Sequence, residues 1–408
     1  MGTPRSHKRQ RQHEPSTLMS LGDDMLAEIL RRLPSLPSLA RATFACPRLR
    51  NVASSPVANH IISPAPLLGY FISVVGGDIP SFHRALIRSD HDVAAIVRRG
   101  DFHLAGLEDY EWRLMDCRHG LLLLTSDRSM AVFDPVSSSR LRIPHCLNMS
   151  NSGSKSSFHC LLPACDDTTS FRVLCLESTG GGRVCPHVYN SCKGEWFSHS
   201  PAPKSIRPPR RGDQHMFQHY LPMLAGGRIY WRTSSAEMLT LLDVGSMEFS
   251  HVPIPDKLGR YSSYALGDTD DGTICIVDVS TRISYRLQVR VWFLMGSSWG
   301  QEWRVDASHL LADDRISVAK VCNVTAGVVL LSTGYKNKAL RYIAFSLKDA
   351  LRGGTTKLAD FFTSAGWVQP YFMAWPRPSL KAAGSTENAS TCQSEQEAAA
   401  GSNNKKQV

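Results

Sequence analysis

The sequence lacks long apolar runs and paired cysteine motifs. Its apolar stretches, such as AGVVLLSTG and ICIVDV, have the length of strands and fall short of the ~18 residues that span a bilayer. The opening MGTPRSHKRQRQHEPST contains no apolar segment of the kind that directs secretion. The eleven cysteines include no C-x-x-C pair. We therefore expect no membrane span, a cytoplasmic or nuclear location, and cysteines that remain thiols.

Motifs of enzymes and metal sites are also missing. The chain contains no G-x-S-x-G nucleophile elbow, no P-loop and no H-E-x-x-H pair. The segment 268–272 resembles a calcium loop, but position twelve is Val279 instead of Glu, which favours a simple β-turn. The densest cysteine group fits no zinc template, so we expect buried thiols there: Cys160, Cys165, Cys175, Cys185 and Cys192. No cofactor and no metal are predicted.

The excess of positive charge is concentrated at the beginning of the chain. Lys and Arg exceed Asp and Glu by 46 − 36 = 10, and residues 1–13 hold four basic residues and no acid. The long central part has only a thin positive balance, which does not indicate a nucleic-acid surface. We therefore predict no nucleic-acid partner.

Composition divides the chain into four segments. Residues 1–15 are a basic polar tail, residues 16–60 have a helical pattern, and residues 61–379 contain short apolar runs separated by Gly, Pro, Ser and Asp. Residues 380–408 have no aromatic side chain and almost no large aliphatic one. Such segments bury too little surface to offset their chain entropy. We therefore predict that both tails are disordered.

The helical segment has a wide apolar stripe. Ser20, with Asp23 three residues later, predicts an N-cap, and Pro34 ends the first helix. A second helix is predicted from Pro37 and a third after Pro47. The first helix carries apolar residues on much of its circumference: Leu21, Met25, Leu26, Ile29, Leu30 and Leu33. Three short helices make a small core, which predicts a partner surface; alternatively the stripe only packs within the protein.

The long third segment has the pattern of a repeated β structure. Strand-length runs rich in β-branched and aromatic residues follow a glycine at Gly120, Gly227, Gly272 and Gly327, with a weaker copy between the first two. This recurrence is typical of four-stranded propeller blades. We expect aromatic residues such as Trp196, Phe249 and Trp303 to seal the contacts between blades. The alternative is a pair of β-sandwiches.

The stretch SLGDDMLAEILRRLPSLPSLARATFACPRLRNVASSP resembles an F-box, and the whole chain is similar to plant F-box proteins. CRHGLLLL (117–124) and VFDPVSSSRLRIP (132–144) resemble the first repeat of the F-box-associated domain. The resemblance implies a mainly β protein, with a small three-helix F-box at 16–60 and a kelch-like β-propeller at 61–379. The pattern departs from the family at two positions: Gly22 replaces the usual Pro, and Leu49 the usual Trp.

The resemblance also implies a function. It identifies the chain as a non-catalytic substrate-recognition subunit of an SCF-type (cullin–RING) ubiquitin ligase, whose F-box docks on a Skp-family adaptor, and through it on a cullin. The implied adaptor-binding residues are Leu21, Met25, Leu26, Ile29, Leu30, Leu33, Pro34, Leu36, Leu39 and Leu49. Two alternatives stay open: a protein-interaction scaffold that does not engage the adaptor, and a propeller enzyme.

A target protein is expected at one end of the propeller, on loops between strands. The long loops at 145–157 and 200–219 are the candidates. In the second, Arg207, Arg210 and Arg211 surround two prolines and favour an acidic or phosphorylated target. The alternative is an ordinary solvated loop.

Overall fold

A computed structural model describes most of the 408-residue chain. The described residues are 20–53, 65–74, 79–86, 91–107, 112–126, 129–146, 157–162, 170–178, 183–206, 222–232, 237–258, 263–280, 287–311, 319–334, 339–354, 356–364, 366–374 and 380. The two predicted disordered tails lie outside these residues, apart from Leu380. The chain divides into two compact units, Met1–Ser63 and Pro64–Val408.

The first unit contains three helices: α1 (Asp23–Arg31), α2 (Leu36–Ala45) and α3 (Pro47–Ala53). The predicted N-cap at Ser20 is wrong, because the cap residue is Gly22, which has no side chain to bond to the first turn. Two acids in the first turn compensate the helix dipole there instead. At α2, the Ser35 hydroxyl accepts a hydrogen bond from the Ser38 amide at 3.3 Å. The helices pack on one another through α3, which contacts both α1 and α2.

The second unit is built almost entirely of strands. It begins with β1 (Leu67–Val74), β2 (Ser81–Arg84) and helix α4 (His91–Arg99). Blade 1 follows, with β3 (Arg113–Arg118), β4 (Leu121–Thr125), β5 (Met130–Asp134) and β6 (Ser139–Ile143). Blade 2 contains β7 (Ser157–Leu162), β8 (Arg172–Ser178), β9 (Val184–Asn190) and β10 (Glu195–Ser198). Blade 3 contains β11 (Met223–Ala225), β12 (Arg228–Arg232), β13 (Met238–Asp243) and β14 (Phe249–Pro253).

Blades 4 and 5 carry additional short elements. Blade 4 contains β15 (Tyr264–Asp268), β16 (Ile274–Ser280) and β17 (Gln288–Met295), with β18 (Ser298–Trp299) and β19 (Trp303–Asp306) pairing with the two ends of β17. A 3-10 turn (Ser308–Leu310) leads to blade 5. Blade 5 contains β20 (Ala319–Thr325), β21 (Val328–Gly334), β22 (Ala339–Ser346) and β23 (Lys357–Ser364), with helix α5 (Leu347–Leu351) between the last two.

The last strand, β24 (Gly366–Phe372), closes the ring. It pairs antiparallel with β1 from Leu67↔Phe372 to Val74↔Gly366, and β1 pairs with β2. The sixth blade is therefore made of the first two strands and the last strand of the unit. The protein is mainly β, with a six-bladed propeller, and the alternative of paired sandwiches is wrong.

Alternating apolar residues fill the spaces between neighbouring blades. In blade 2, Leu161 and Val173 pack toward blade 1, whereas Leu174 packs toward blade 3. Trp196 and Phe249 border these cores, which confirms two of the three predicted aromatic seals. The third, Trp303, is wrong because its side chain lies outside the core and is 54% exposed.

Trp299 borders the core between blades 3 and 4 instead. Its indole N–H donates to the Pro253 carbonyl at 2.6 Å, just as the Trp196 indole donates to Pro144 at 2.9 Å. Both tryptophans thus bind the end of the preceding blade.

The recurring glycines lie in the turns between the first and second strands of their blades. Residues 119–120, 226–227 and 326–327 all have positive φ, as a two-residue type I′ hairpin turn requires. Gly272 also has positive φ, in the turn between β15 and β16, which confirms the β-turn predicted for 268–272. These turns, and those between third and fourth strands, emerge at one end of the ring, the turn face. The other connections emerge at the opposite end, the loop face.

A buried polar cluster lies between blades 1 and 2 toward the loop face. His159 and His187 flank Cys175 across the strands β7, β8 and β9. The His187 ring lies 3.3 Å from the Glu177 carboxylate. Neither ring nitrogen of His159 has a hydrogen-bond partner among the described residues. Burial, with a smaller effect from His145, lowers the pKa of His159 to about 4.

Two turn glycines provide a matched test of the packing around the ring. Gly120 and Gly227 have φ of +71° and +69°, so alanine costs about 1–2 kcal/mol of conformational strain at either position. A Cβ at Gly120 would also lie 2.9 Å from the Ala374 backbone nitrogen, whereas nothing lies within 4 Å at Gly227. Gly120→Ala should therefore lower the free energy of unfolding, measured by chemical denaturation, clearly more than Gly227→Ala. Equal losses would contradict the close approach of Ala374, just after the last strand, to blade 1.

The buried imidazole of His159 predicts a dependence of stability on pH. The folded state keeps His159 neutral down to a pKa of about 4, whereas the unfolded chain takes up the proton near pH 6.5. The contribution of neutral His159 to stability is thus fully present above pH 6.5, and about 3 kcal/mol of it is lost as the pH falls to 4. His159→Leu should flatten that part of the denaturation profile, and the exposed control His103→Gln should not. A wild-type slope retained in His159→Leu would refute this assignment.

Candidate functional site

Helix α1 has two apolar faces, and only one of them is buried. Leu26 and Leu30, four residues apart, are 0% and 2% exposed. Met25 and Ile29, also four residues apart, are 56% and 38% exposed. Because residues at this spacing share one side of a helix, Met25 and Ile29 form an exposed apolar pair. The wide stripe predicted from the sequence is thus divided between the interior of the helical unit and its surface.

The ten residues predicted to bind an adaptor fall into two groups. Five are buried: Leu26, Leu30, Leu36, Leu39 and Leu49. Met25, Ile29 and Pro34 are exposed, while Leu21 and Leu33 are half-buried. A partner can reach the exposed and half-buried residues without disturbing the packing of the three helices.

Polar contacts hold the start of α1 against α3. The Arg48 guanidinium donates to the Asp23 carboxylate at 2.9 Å and to the Leu21 carbonyl at 2.6 Å. Gly22, between these two residues, has φ −66° and ψ 159°. This φ is the one that proline imposes. The backbone therefore has a proline-like conformation at the position where the resembled family has proline.

The second candidate site is the central channel of the propeller. The first strand of each blade lines it, together with β24, and the space within it is about 50 Å³. Because a water molecule occupies about 30 Å³ in the liquid, the channel has room for one or two waters and not for a drug-sized ligand.

A buried ion pair in this channel connects three blades. The Arg118 guanidinium donates to the Asp116 carboxylate at 3.2 Å and lies 3.5 Å from the Leu224 carbonyl of blade 3. Asp116 also accepts a hydrogen bond from the Leu161 amide of blade 2 at 2.8 Å. Burial raises the pKa of Asp116, and the Arg118 charge opposes that shift. Both ends of the pair are thus held by the ring itself.

The thiols that face the channel are not activated. Burial raises the pKa of Cys160 well above its ordinary value, and it raises the pKa of Cys322 to about 11. Both thiols therefore remain protonated at neutral pH and are poor nucleophiles. Among the described residues, no group of three His, Cys, Asp or Glu side chains is arranged to hold a metal ion. The described helices include none that is long and apolar enough to cross a membrane.

Sequence reasoning missed the ion pair and named residues that the structure does not describe. Arg207, Arg210 and Arg211 lie outside the described residues, as does most of both candidate loops. The signal for the ion pair was present in DCRHG, because Asp116 and Arg118 are two residues apart on a strand and share one face. Nothing in the sequence showed that this face lines a closed channel.

Several solved structures are remotely similar to this chain. A luciferin-regenerating enzyme is 10% identical, with a TM-score of 0.32, over 65% of this chain and 79% of its own. A mutant Aleuria aurantia lectin with alpha-methyl-L-fucoside is 15% identical, with a TM-score of 0.33, over 60% and 75%. The eukaryotic initiation factor is 9% identical, with a TM-score of 0.30, over 69% and 61%. At these scores the similarity carries no argument about this chain.

The search of curated proteins found no match. A family model described as F-box protein AT5G49610-like, beta-propeller, matches residues 113–336, which is more than half of the chain. The match begins at the first residue of β3 and ends shortly after β21, so it runs from blade 1 into blade 5. The chain belongs to the F-box protein AT5G49610-like beta-propeller family.

Proposed function

We propose that this protein is the substrate receptor of an SCF-type ubiquitin ligase. The helical unit is an F-box that docks on a Skp-family adaptor, and through the adaptor on a cullin. The propeller binds the target protein. The protein itself is non-catalytic and acts by bringing two partners together. Its membership of an F-box propeller family supports this proposal.

The exposed pair of Met25 and Ile29 is the observation that carries the adaptor part of the proposal. Two large apolar side chains on one face of a nine-residue helix are unfavourable in water. Partner helices and grooves recognise apolar residues at this i, i+4 spacing. Half-buried Leu33 and exposed Pro34 continue from the pair toward the end of the helix. We assign adaptor binding to this face and assign the internal packing to the five buried residues.

The two departures from the F-box pattern leave this face in place. Gly22 has a backbone conformation that proline also adopts, so the entry into α1 follows the same direction. Leu49 is 7% exposed and packs within the helical unit, so its difference from Trp changes the interior. Neither departure removes an exposed apolar side chain from α1.

Exposed charges on α1 should abolish adaptor binding without unfolding the unit. Met25→Asp combined with Ile29→Asp places two carboxylates on the docking face, and neither side chain fills the core. We expect binding to a purified Skp-family adaptor, measured by calorimetry on the full chain, to weaken at least about tenfold. The same changes at Leu26 and Leu30 would be uninformative, because both leucines are buried.

The matched control is Leu86→Asp, which alters an equally exposed apolar residue of the propeller unit. It should bind the adaptor as the wild type does. Circular dichroism of the double variant checks that its helices are intact. A folded double variant with wild-type affinity for the adaptor would rule out docking through this face.

A further inference from the structure

A second space in the propeller lies away from its axis. A cavity of about 560 Å³ opens at the turn face between blades 4 and 5, compared with about 50 Å³ in the central channel. Its walls are the β15–β16 turn on blade 4 and α5 on blade 5, with Phe293 of β17 and Gly327 between them. Cavities of 300–1,000 Å³ are typical of ligand sites. We call this cavity and the apolar strip beside it the blade 4–5 groove.

The floor of the groove is apolar and continues onto the surface. Phe293, Leu347 and Leu351 line the cavity. Successive odd-numbered residues of β17 share one face, on which Val289 and Val291 are buried between the blades. Further along this face, Met295 is 69% exposed. The core between the two blades thus extends into an exposed apolar strip.

Trp303 widens this strip on the neighbouring strand. It lies opposite Val291 in the β17–β19 pair, so its side chain is on the same face as Phe293 and Met295. It is 54% exposed. Trp and Met are enriched at protein interfaces, and Trp is among the residues that contribute most of the binding energy there. An exposed Trp and an exposed Met on the same face of the sheet therefore indicate a contact surface.

Charges of opposite sign border the two sides of the groove. Lys348 on α5 donates to the Asp270 carboxylate at 2.6 Å, so this pair joins the two walls and compensates its own charge. Asp271 remains on the blade 4 side, where the Thr269 hydroxyl and the Thr273 amide bond to its carboxylate and lower its pKa to about 2. Exposed Arg352 lies on the blade 5 side. The groove therefore presents one negative wall and one positive wall.

We propose that the blade 4–5 groove is the surface on which the propeller holds its target. The occupant is a short peptide segment of the target, with one large apolar side chain that enters the cavity. A basic residue on one side of this anchor faces Asp271, and an acidic residue on the other side faces Arg352. The proposal rests on the proposed receptor function, and it places target binding away from the channel and the loop face.

A randomised peptide library displayed on phage tests the groove directly. Peptides are selected on the full chain and counter-selected on the double variant Met295→Glu, Trp303→Glu, in which both altered side chains are exposed. The selected peptides should share a large apolar residue between a basic and an acidic one. A synthetic copy, measured by fluorescence anisotropy, should bind the double variant at least about tenfold more weakly than the wild type.

Two further variants and one parallel measurement test whether peptide binding is specific to the groove. Phe197→Glu changes an exposed aromatic residue on blade 2 and should leave peptide binding unchanged. Arg352→Glu reverses the charge of one wall and should select peptides whose acidic flank is replaced by a basic one. The adaptor affinity of the Met295→Glu, Trp303→Glu variant is measured in parallel and should equal that of the wild type, which separates this proposal from adaptor docking.

Three results would overturn the proposal. The first is a selection that enriches no peptide, and the second is a selected peptide that binds the double variant as tightly as the wild type. The third is a wild-type chain that sediments as a dimer while the double variant sediments as a monomer, which would assign the groove to self-association. If the wild-type chain binds the selected peptide but does not bind the adaptor, the receptor function is refuted and the groove proposal is not.

Discussion

The pairing of β24 with β1 is the interaction on which the rest of the propeller depends. No covalent bond closes the ring of sheets, so the two ends of the unit must recognise each other through one antiparallel ladder of hydrogen bonds. Side-chain contacts strengthen this closure. The Tyr371 hydroxyl donates to the Gly120 carbonyl at 2.9 Å, and the Cys117 thiol donates to the Pro370 carbonyl at 3.3 Å. Both bonds connect the last strand to blade 1 and hold the first and last blades together.

The closed ring leaves less space at its axis than the blade 4–5 groove offers. The Asp116–Arg118 ion pair and the strands that line the channel leave little space at the axis. Blade 4 differs from its neighbours because two short strands, β18 and β19, replace a single outer strand. Met295, at the end of β17, and Trp303, at the start of β19, lie on the two sides of this break and are both exposed. Helix α5 then supplies the opposite wall from blade 5.

Sequence patterns predicted the parts of this fold that depend on local physics. Turn glycines and apolar runs located most strands, because positive φ and β propensity are properties of short segments. The sequence did not show that Trp299, and not Trp303, packs between two blades, because this depends on a break in the outer strand of blade 4. The contribution of β24 to the sixth blade could not be predicted, because closure is a contact between residues about 300 positions apart. The same limit applied to α1, because only the packing of the three helices determines that Met25 is exposed and Leu26 is buried.

We assign the two proposed binding functions to two separate compact units. The most direct test compares the full chain with residues 64–408 alone, after thermal unfolding has shown that this propeller unit is folded. Binding to a purified Skp-family adaptor and binding to a peptide selected on the full chain are both measured by calorimetry. We predict that the propeller unit loses the adaptor completely and keeps the peptide with unchanged affinity. Adaptor binding that survives removal of residues 1–63 would contradict the account.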